Sequence, residues 1–197
     1  MTCLADYLPL IGFVFFGLFS PGPNVILLTA SGARFGFHPT VPHILGVALG
    51  VGITAGITGF GIGALVLSLP ALETVLKVIA CLWILWMSYK LWMAKPAAQG
   101  KTGDRPFTFV EAVLFQWVNP KVWAVALSAT AYVASHSPGQ QAITLALAFS
   151  CINLGVCLFW TYAGTLLSYL LQNPTAWTVF LRIMAVCLFV FSLLVFI

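Results

Sequence analysis

Pro21-Gly22-Pro23-Asn24 interrupts an apolar stretch that is otherwise long enough to cross a membrane. Each proline lacks an N–H and clashes with the carbonyl four residues earlier, so a regular helix cannot run through them. The carbonyls of Gly17 and Phe19 are expected to lose their helical partners. In hydrocarbon such groups cost several kcal/mol each unless protein buries them or a wet cavity receives them. A helix broken at membrane depth therefore points to a transport site.

Composition supports the membrane reading. The 197 residues are 61% hydrophobic and 6% charged, against about 25% charged in soluble domains. Eight Lys+Arg and four Asp+Glu cannot coat a soluble surface. The net charge of +4 is too sparse for a nucleic-acid partner. It reads instead as loop charge, with membrane lipid as the surrounding partner. The five cysteines are odd in number and form no C-x-x-C, which argues for small apolar packing residues rather than a disulfide framework or metal site. No cofactor is expected. Asp6 stands where a basic leader would begin, so no cleavable signal peptide is expected. Asn173-Pro174-Thr175 is not a glycosylation acceptor, because proline holds its middle position.

The hydropathy pattern predicts an all-α membrane protein with six spans. They cover Tyr7 to Leu28 (broken at Pro21), Ile44 to Leu67, Leu72 to Met93, Phe107 to Val133, Ile143 to Leu171, and Trp177 to Ile197. A polar linker from Ala94 to Pro106 separates a first unit, residues 1–93, from a second, residues 107–197. Lys90, Lys95, Lys101 and Arg105 surround that linker and place it in the cytoplasm, with both termini outside. Arg34 and Arg182 fall on the same side, whereas Lys77 falls outside, four residues after Glu73; the spacing suits an interfacial ion pair, but both read first as a solvated helix end. Three spans per unit make the second unit inverted relative to the first. Pro23-Asn24 in one and Asn119-Pro120 in the other break the opening helices, with the two asparagines 95 residues apart. Paired breaks in inverted halves mark the substrate site of a transporter.

Several side chains gather at those breaks in sequence. Pro120 should free the carbonyl of Gln116. Lys121 lies about 14 residues into its span, where a lysine costs about 2.5–3.5 kcal/mol and must face the bundle interior or a cavity. Asn24 reads as a site residue, and Asn153 as interhelical packing. The helix before Pro21 ends in carbonyls suited to an ammonium, and the helix after it begins with N–H groups suited to a carboxylate. With Lys121 added, a small zwitterion matches. The candidate binding residues are Pro21, Gly22, Pro23, Asn24, Gln116, Asn119, Pro120 and Lys121, with Lys121 and Glu111 as candidates for proton coupling and no catalytic residues. Gly46, Gly50, Gly52, Gly56, Gly59, Gly61 and Gly63 permit close helix approach within the bundle, a homodimer contact or a flexible hinge. Trp83, Trp86, Tyr89 and Trp92 read as lipid-facing rings. His38 and His43 read as solvated residues of the first cytoplasmic loop, and His136 of an outer turn.

These motifs resemble the lysine exporter family (LysE/RhtB) in its homoserine/threonine exporter branch. The early Pro21-Gly22-Pro23-Asn24, the glycine-rich stretch from Leu45 to Gly56, and Asn119-Pro120-Lys121 carry the likeness in matching order and spacing. The Gln116-Trp117-Val118-Asn119 context resembles cysteine/O-acetylserine exporters. One departure is Trp83, in Ala80-Cys81-Leu82-Trp83-Ile84, where family members often carry a tyrosine. The resemblance implies export of amino acids or their derivatives across a bacterial inner membrane by proton antiport. Two other classes compete: a thiol-redox electron carrier, which needs facing cysteines near the breaks, and a channel or scaffold with no pumping cycle.

Overall fold

The computed structural model describes residues 4–61, 70–94, 105–170 and 173–194, and every regular element among them is helical. The helices are α1 (Leu8–Phe19), α2 (Pro23–Phe35), α3 (Phe37–Gly59), α4 (Pro70–Trp92), α5 (Phe109–Trp117), α6 (Pro120–Ala129), α7 (Pro138–Leu170) and α8 (Pro174–Leu194). Short 3-10 turns cover Leu4–Tyr7 and Thr130–Val133. Five of these helices begin on a proline, whose missing N–H is harmless in a first turn. Asn173 accepts the Thr175 N–H at 2.8 Å and so caps α8.

The first interruption falls at Ser20 to Gly22, where α1 and α2 meet at 58°. The Gly17 carbonyl freed by Pro21 is taken up locally by the Ser20 hydroxyl at 3.0 Å. The second interruption is Val118 and Asn119. There the Gln116 carbonyl does not stay open as expected, because the chain tightens and the Asn119 N–H reaches it at 3.3 Å.

Two boundaries near the first break differ from the sequence reading. α2 continues past Leu28 to Phe35, where Gly36 (φ 82°) ends it in a conformation that suits glycine. The small and polar run Thr29 to Ala33 looks like a span end, yet it is buried in the bundle. α3 starts at Phe37 rather than Ile44 and carries Pro42 within it. The expected first loop thus shrinks to Gly36, and His43 is a buried helical residue with 2% exposure, not a solvated one. Pro39 and Pro42 suggest a loop, but both fall early in α3, where few hydrogen bonds are lost. Residues 95–104 of the linker, Gly63 and the side chain of Glu73, whose spacing to Lys77 suits an ion pair, lie outside the described residues.

The glycines of α3 are consumed within the chain. A Cβ at Gly46 would meet Phe109 and Ala112 of α5, and one at Gly50 would meet Val113 and Gln116. Gly52, Gly56 and Gly59 lie on Ser150, Ala146 and Ala142 of α7. A second close crossing joins α2 to α7. Gly32 faces the Thr161 carbonyl while Gly164 faces the Thr29 carbonyl, an antiparallel exchange with no room for a side chain at either glycine. Around these contacts lies one core of α1, α3, α6 and α7, including Val14, Val47, Val122, Leu145 and Phe149. A second core joins α4 and α8 to α2 and α5 through Ile84, Leu181, Ala30 and Phe115.

Among the described residues, three helices are long and apolar enough to cross a membrane: Phe37–Gly59, Pro138–Tyr169 and Pro174–Leu193. The bent pair α1 and α2 makes a fourth span if counted as one. Exposed Leu82, Trp83, Trp86, Ile183, Val186 and Phe189 give α4 and α8 an apolar outer surface, as lipid contact requires.

Candidate functional site

The two interruptions meet in space. Lys121, in the first turn of α6, reaches across to the end of α1, where its Nζ donates to the Ser20 carbonyl and to the Ser20 hydroxyl, the latter at 2.9 Å. The carbonyl end that the sequence assigns to a substrate ammonium is therefore filled by the protein's own ammonium. Charge and helix dipole agree there, because the C-terminal end of α1 is partially negative. Gly22 makes this reach possible by leaving space. A Cβ there would lie 2.7 Å from the Lys121 Cδ and 2.9 Å from its Nζ. Its φ of −168° is ordinary extended backbone, so the requirement is steric.

Asn24 and Gln116 form the second link. The Asn24 Nδ2 donates to Gln116 Oε1 at 2.8 Å, and the Gln116 Nε2 donates to Asn24 Oδ1 at 3.2 Å. The Gln116 Nε2 also donates to the Ala112 carbonyl at 2.8 Å. This two-way amide pair ties α2 to α5 and leaves little of Gln116 free for a ligand.

Between these links lies a narrow cavity lined by Leu18, Gly22, Asn24, Asn119, Lys121, Asn153, Cys157 and Trp160, with apolar neighbours. It has room for about one water molecule. Its walls carry buried polar atoms without a protein partner: the acceptor Asn119 Oδ1 and the donors Asn153 Nδ2 and Trp160 Nε1. Native interiors leave few such groups, and a cavity that must receive a polar ligand is one physical reason for them. Phe19 packs on Trp160 with ring centroids 5.2 Å apart and closes one flank.

The expected site residues separate into three groups. Gly22, Asn24, Asn119 and Lys121 line the cavity. Pro21, Pro23 and Pro120 shape the breaks, the latter two as first residues of α2 and α6. Gln116 backs Asn24. Glu111 stands apart, at the exposed start of α5, where Thr108 and Glu111 form a capping box and Arg105 grips both carboxylate oxygens at 2.7 and 2.8 Å. Asn153 and Trp160 are lining residues that sequence reasoning did not assign to the site. The mid-span position of Asn153 was its one visible signal. Cys157 also faces the cavity, and Cys81, Cys151 and Cys187 are likewise free thiols.

Comparison with known proteins adds a family to this description. A family model described as "LysE type translocator" matches residues 15–197. The chain is 26% identical over 154 residues to a cysteine/O-acetylserine efflux protein of Salmonella paratyphi A, covering 78% of this chain and 77% of that one. It is 25% identical over 112 residues to a threonine efflux protein of Escherichia coli strain K12, covering 53% and 54%. An "Uncharacterized membrane protein" of Vibrio cholerae is 24% identical over 165 residues, covering 81% and 80%. No solved structure matches the chain.

Proposed function

Because the chain belongs to the LysE-type translocator family, and is thus a multi-pass membrane transporter rather than an enzyme, we propose that it exports small neutral amino acids or their derivatives from the cytoplasm by proton antiport. The observation that carries this reading is the cavity at the meeting of the two broken helices, walled by Lys121 and the unpartnered amides of Asn119 and Asn153. Lys121 and the N–H groups at the start of α2 suit a carboxylate. The Asn119 oxygen suits an ammonium, in place of the Ser20 carbonyl that Lys121 occupies. No carboxylate lines the cavity, so a dibasic substrate would face Lys121 with nothing to balance it. A zwitterion with a small polar side chain fits better. That agrees with the efflux of cysteine and O-acetylserine named for one group of relatives.

The inverted-repeat reading gains support from packing. The broken pair of each half lies mainly on the second helix of the other half: α1 and α2 on α7, α5 and α6 on α3. The most extensive of the other pairings, α3 with α7 and α4 with α8, join equivalent helices. Residues 109–129 number 21 with their break, and α4 has 23; at about 1.5 Å per residue each spans a hydrocarbon core of about 30 Å. These lengths support our reading of six spans in a bacterial inner membrane, with the linker in the cytoplasm. Arg182 over the Trp92 ring and Lys90 over Trp86 gather positive charge at the linker end of α4, as cytoplasmic placement requires.

Counterflow of radiolabelled amino acids in proteoliposomes, with and without a pH gradient, tests the proposal. Gradient-stimulated movement of small neutral amino acids is the expected result. No movement of any amino acid by folded protein would sink it. A cysteine redox carrier has less support, since Cys157 is the single cysteine lining this cavity among the described residues.

A further inference from the structure

We propose that His43 is the residue on which this transporter carries its coupling proton, a role that rests on the proton-driven export proposed above. His43 is 2% exposed, and neither ring nitrogen has a hydrogen-bond partner. A buried imidazole normally has at least one nitrogen satisfied, and an ionisable residue inside a membrane bundle is costly unless it has work to do. The ring lies against Phe107, with centroids 5.1 Å apart.

Its place along the chain gives that work a route. His43 and Gly50 are seven residues apart on α3, two turns or about 10 Å along one face. That face packs on α5, Gly46 against Phe109 and Ala112 and Gly50 against Gln116. His43 therefore stands on the α3–α5 seam between the exposed Glu111 end of α5 and the buried Asn24–Gln116 pair beside the cavity. Glu111 is the charged group that bears on it electrostatically. Arg105 already holds Glu111 in an ion pair. α7, packed on another face of α3, carries no acidic or basic residue over its length. α2 contributes Arg34 near its end, and α6 contributes Lys121, bound to Ser20.

The closed seam favours neutral imidazole, since a charged ring would be buried with no acceptor for either N–H. Protonation thus needs the seam to loosen so that water continuous with the outer phase reaches the ring from the cavity side. Whatever loosens the seam also moves α5, and through Gln116 and Asn24 the wall of the cavity. A proton from the outer phase and a substrate from the cytoplasm then bias opposite states of one movable contact, which is what coupling requires. The proton leaves to cytoplasmic water at the exposed Glu111 end of α5 as the seam closes, since the closed seam holds only the neutral ring.

The test uses the full chain with His38 and His136 replaced by Gln, leaving His43 as its only histidine. Proteoliposomes of this protein, and of the same protein with His43→Gln, are assayed with radiolabelled L-cysteine kept reduced. Counterflow without a gradient and uptake driven by a pH gradient are measured side by side. Expected for His43→Gln are counterflow within about twofold of its parent and loss of at least about tenfold of the gradient stimulation. Retained stimulation beside intact counterflow overturns the role of His43 and leaves the exporter standing. Absence of counterflow in the parent overturns the transport reading, and the role of His43 with it. If His43→Gln loses both fluxes, ring 15N spectra of the parent decide. A ring that titrates between about pH 5 and about pH 9, with a midpoint moved by L-cysteine, supports the proposal. A ring fixed in one protonation state over that range overturns it.

Discussion

Lys121 and Gly22 act as one device. The lysine neutralises the open end of α1, and the glycine leaves the space through which its side chain passes. Gly22→Ala puts a methyl group against the flexible end of Lys121, which can move aside, so fold stability should change by less than about 1 kcal/mol. Transport should nevertheless fall by about tenfold, because the ammonium leaves Ser20. Thermal melting in detergent and counterflow, measured on one preparation, check both halves. Full counterflow would show that the contact with Ser20 is dispensable. Asn24 and Gln116 call for a double-mutant cycle. Asn24→Ala or Gln116→Ala alone strands a buried amide and should cost about 1–3 kcal/mol, whereas the double variant should cost clearly less than the sum. Additive losses would mean that the two amides do not depend on each other. Lys121, Asn24 and Asn119 are legible in the sequence because helix-breaking prolines flank polar groups in an apolar run. Asn153 and Trp160 are not, because only the crossing of α7 over the breaks brings them to the cavity.

At the scale of the element, glycine spacing shows that helices approach closely but not which helices. The α3 stripe could serve packing, a dimer or a hinge when read alone. The structure divides it between α5 on one face and α7 on another. The α2–α7 crossing was hidden for a different reason: Gly32 sits in a small, polar run that ends the hydropathy signal at Leu28. Gly32→Leu should therefore prevent stable assembly, since its Cβ meets the Thr161 backbone and no rotamer relieves that clash. Gly12→Ala, with nothing within 4 Å of the added methyl, should leave yield and melting unchanged. Membrane yield and a monodisperse detergent peak test the pair. Normal assembly of Gly32→Leu would mean that α2 and α7 do not cross as described. Interior prolines misled the reading in the opposite sense. Pro39 and Pro42 suggest a loop around His43, but proline near a helix start disrupts little.

For the whole molecule, the cavity is too small for an amino acid, so transport requires the broken pairs to move against α3 and α7. The composition made the membrane fold legible, and the paired breaks made the meeting point legible. The closed state depends on side-chain packing, which no hydropathy pattern encodes. Cys157 reports on that motion. It is 1% exposed and lines the cavity, so a thiol reagent reaches it only when the bundle opens. With Cys3, Cys81, Cys151 and Cys187 replaced by Ser, a membrane-impermeant maleimide should label Cys157 slowly from either face of oriented vesicles. A pH gradient should raise the labelling rate on one face and lower it on the other, because it shifts the balance between inward-open and outward-open states without opening both at once. A channel would instead label from both faces with no opposed response to the gradient. A thiol reached from one face alone under every condition would remove alternating access from this site.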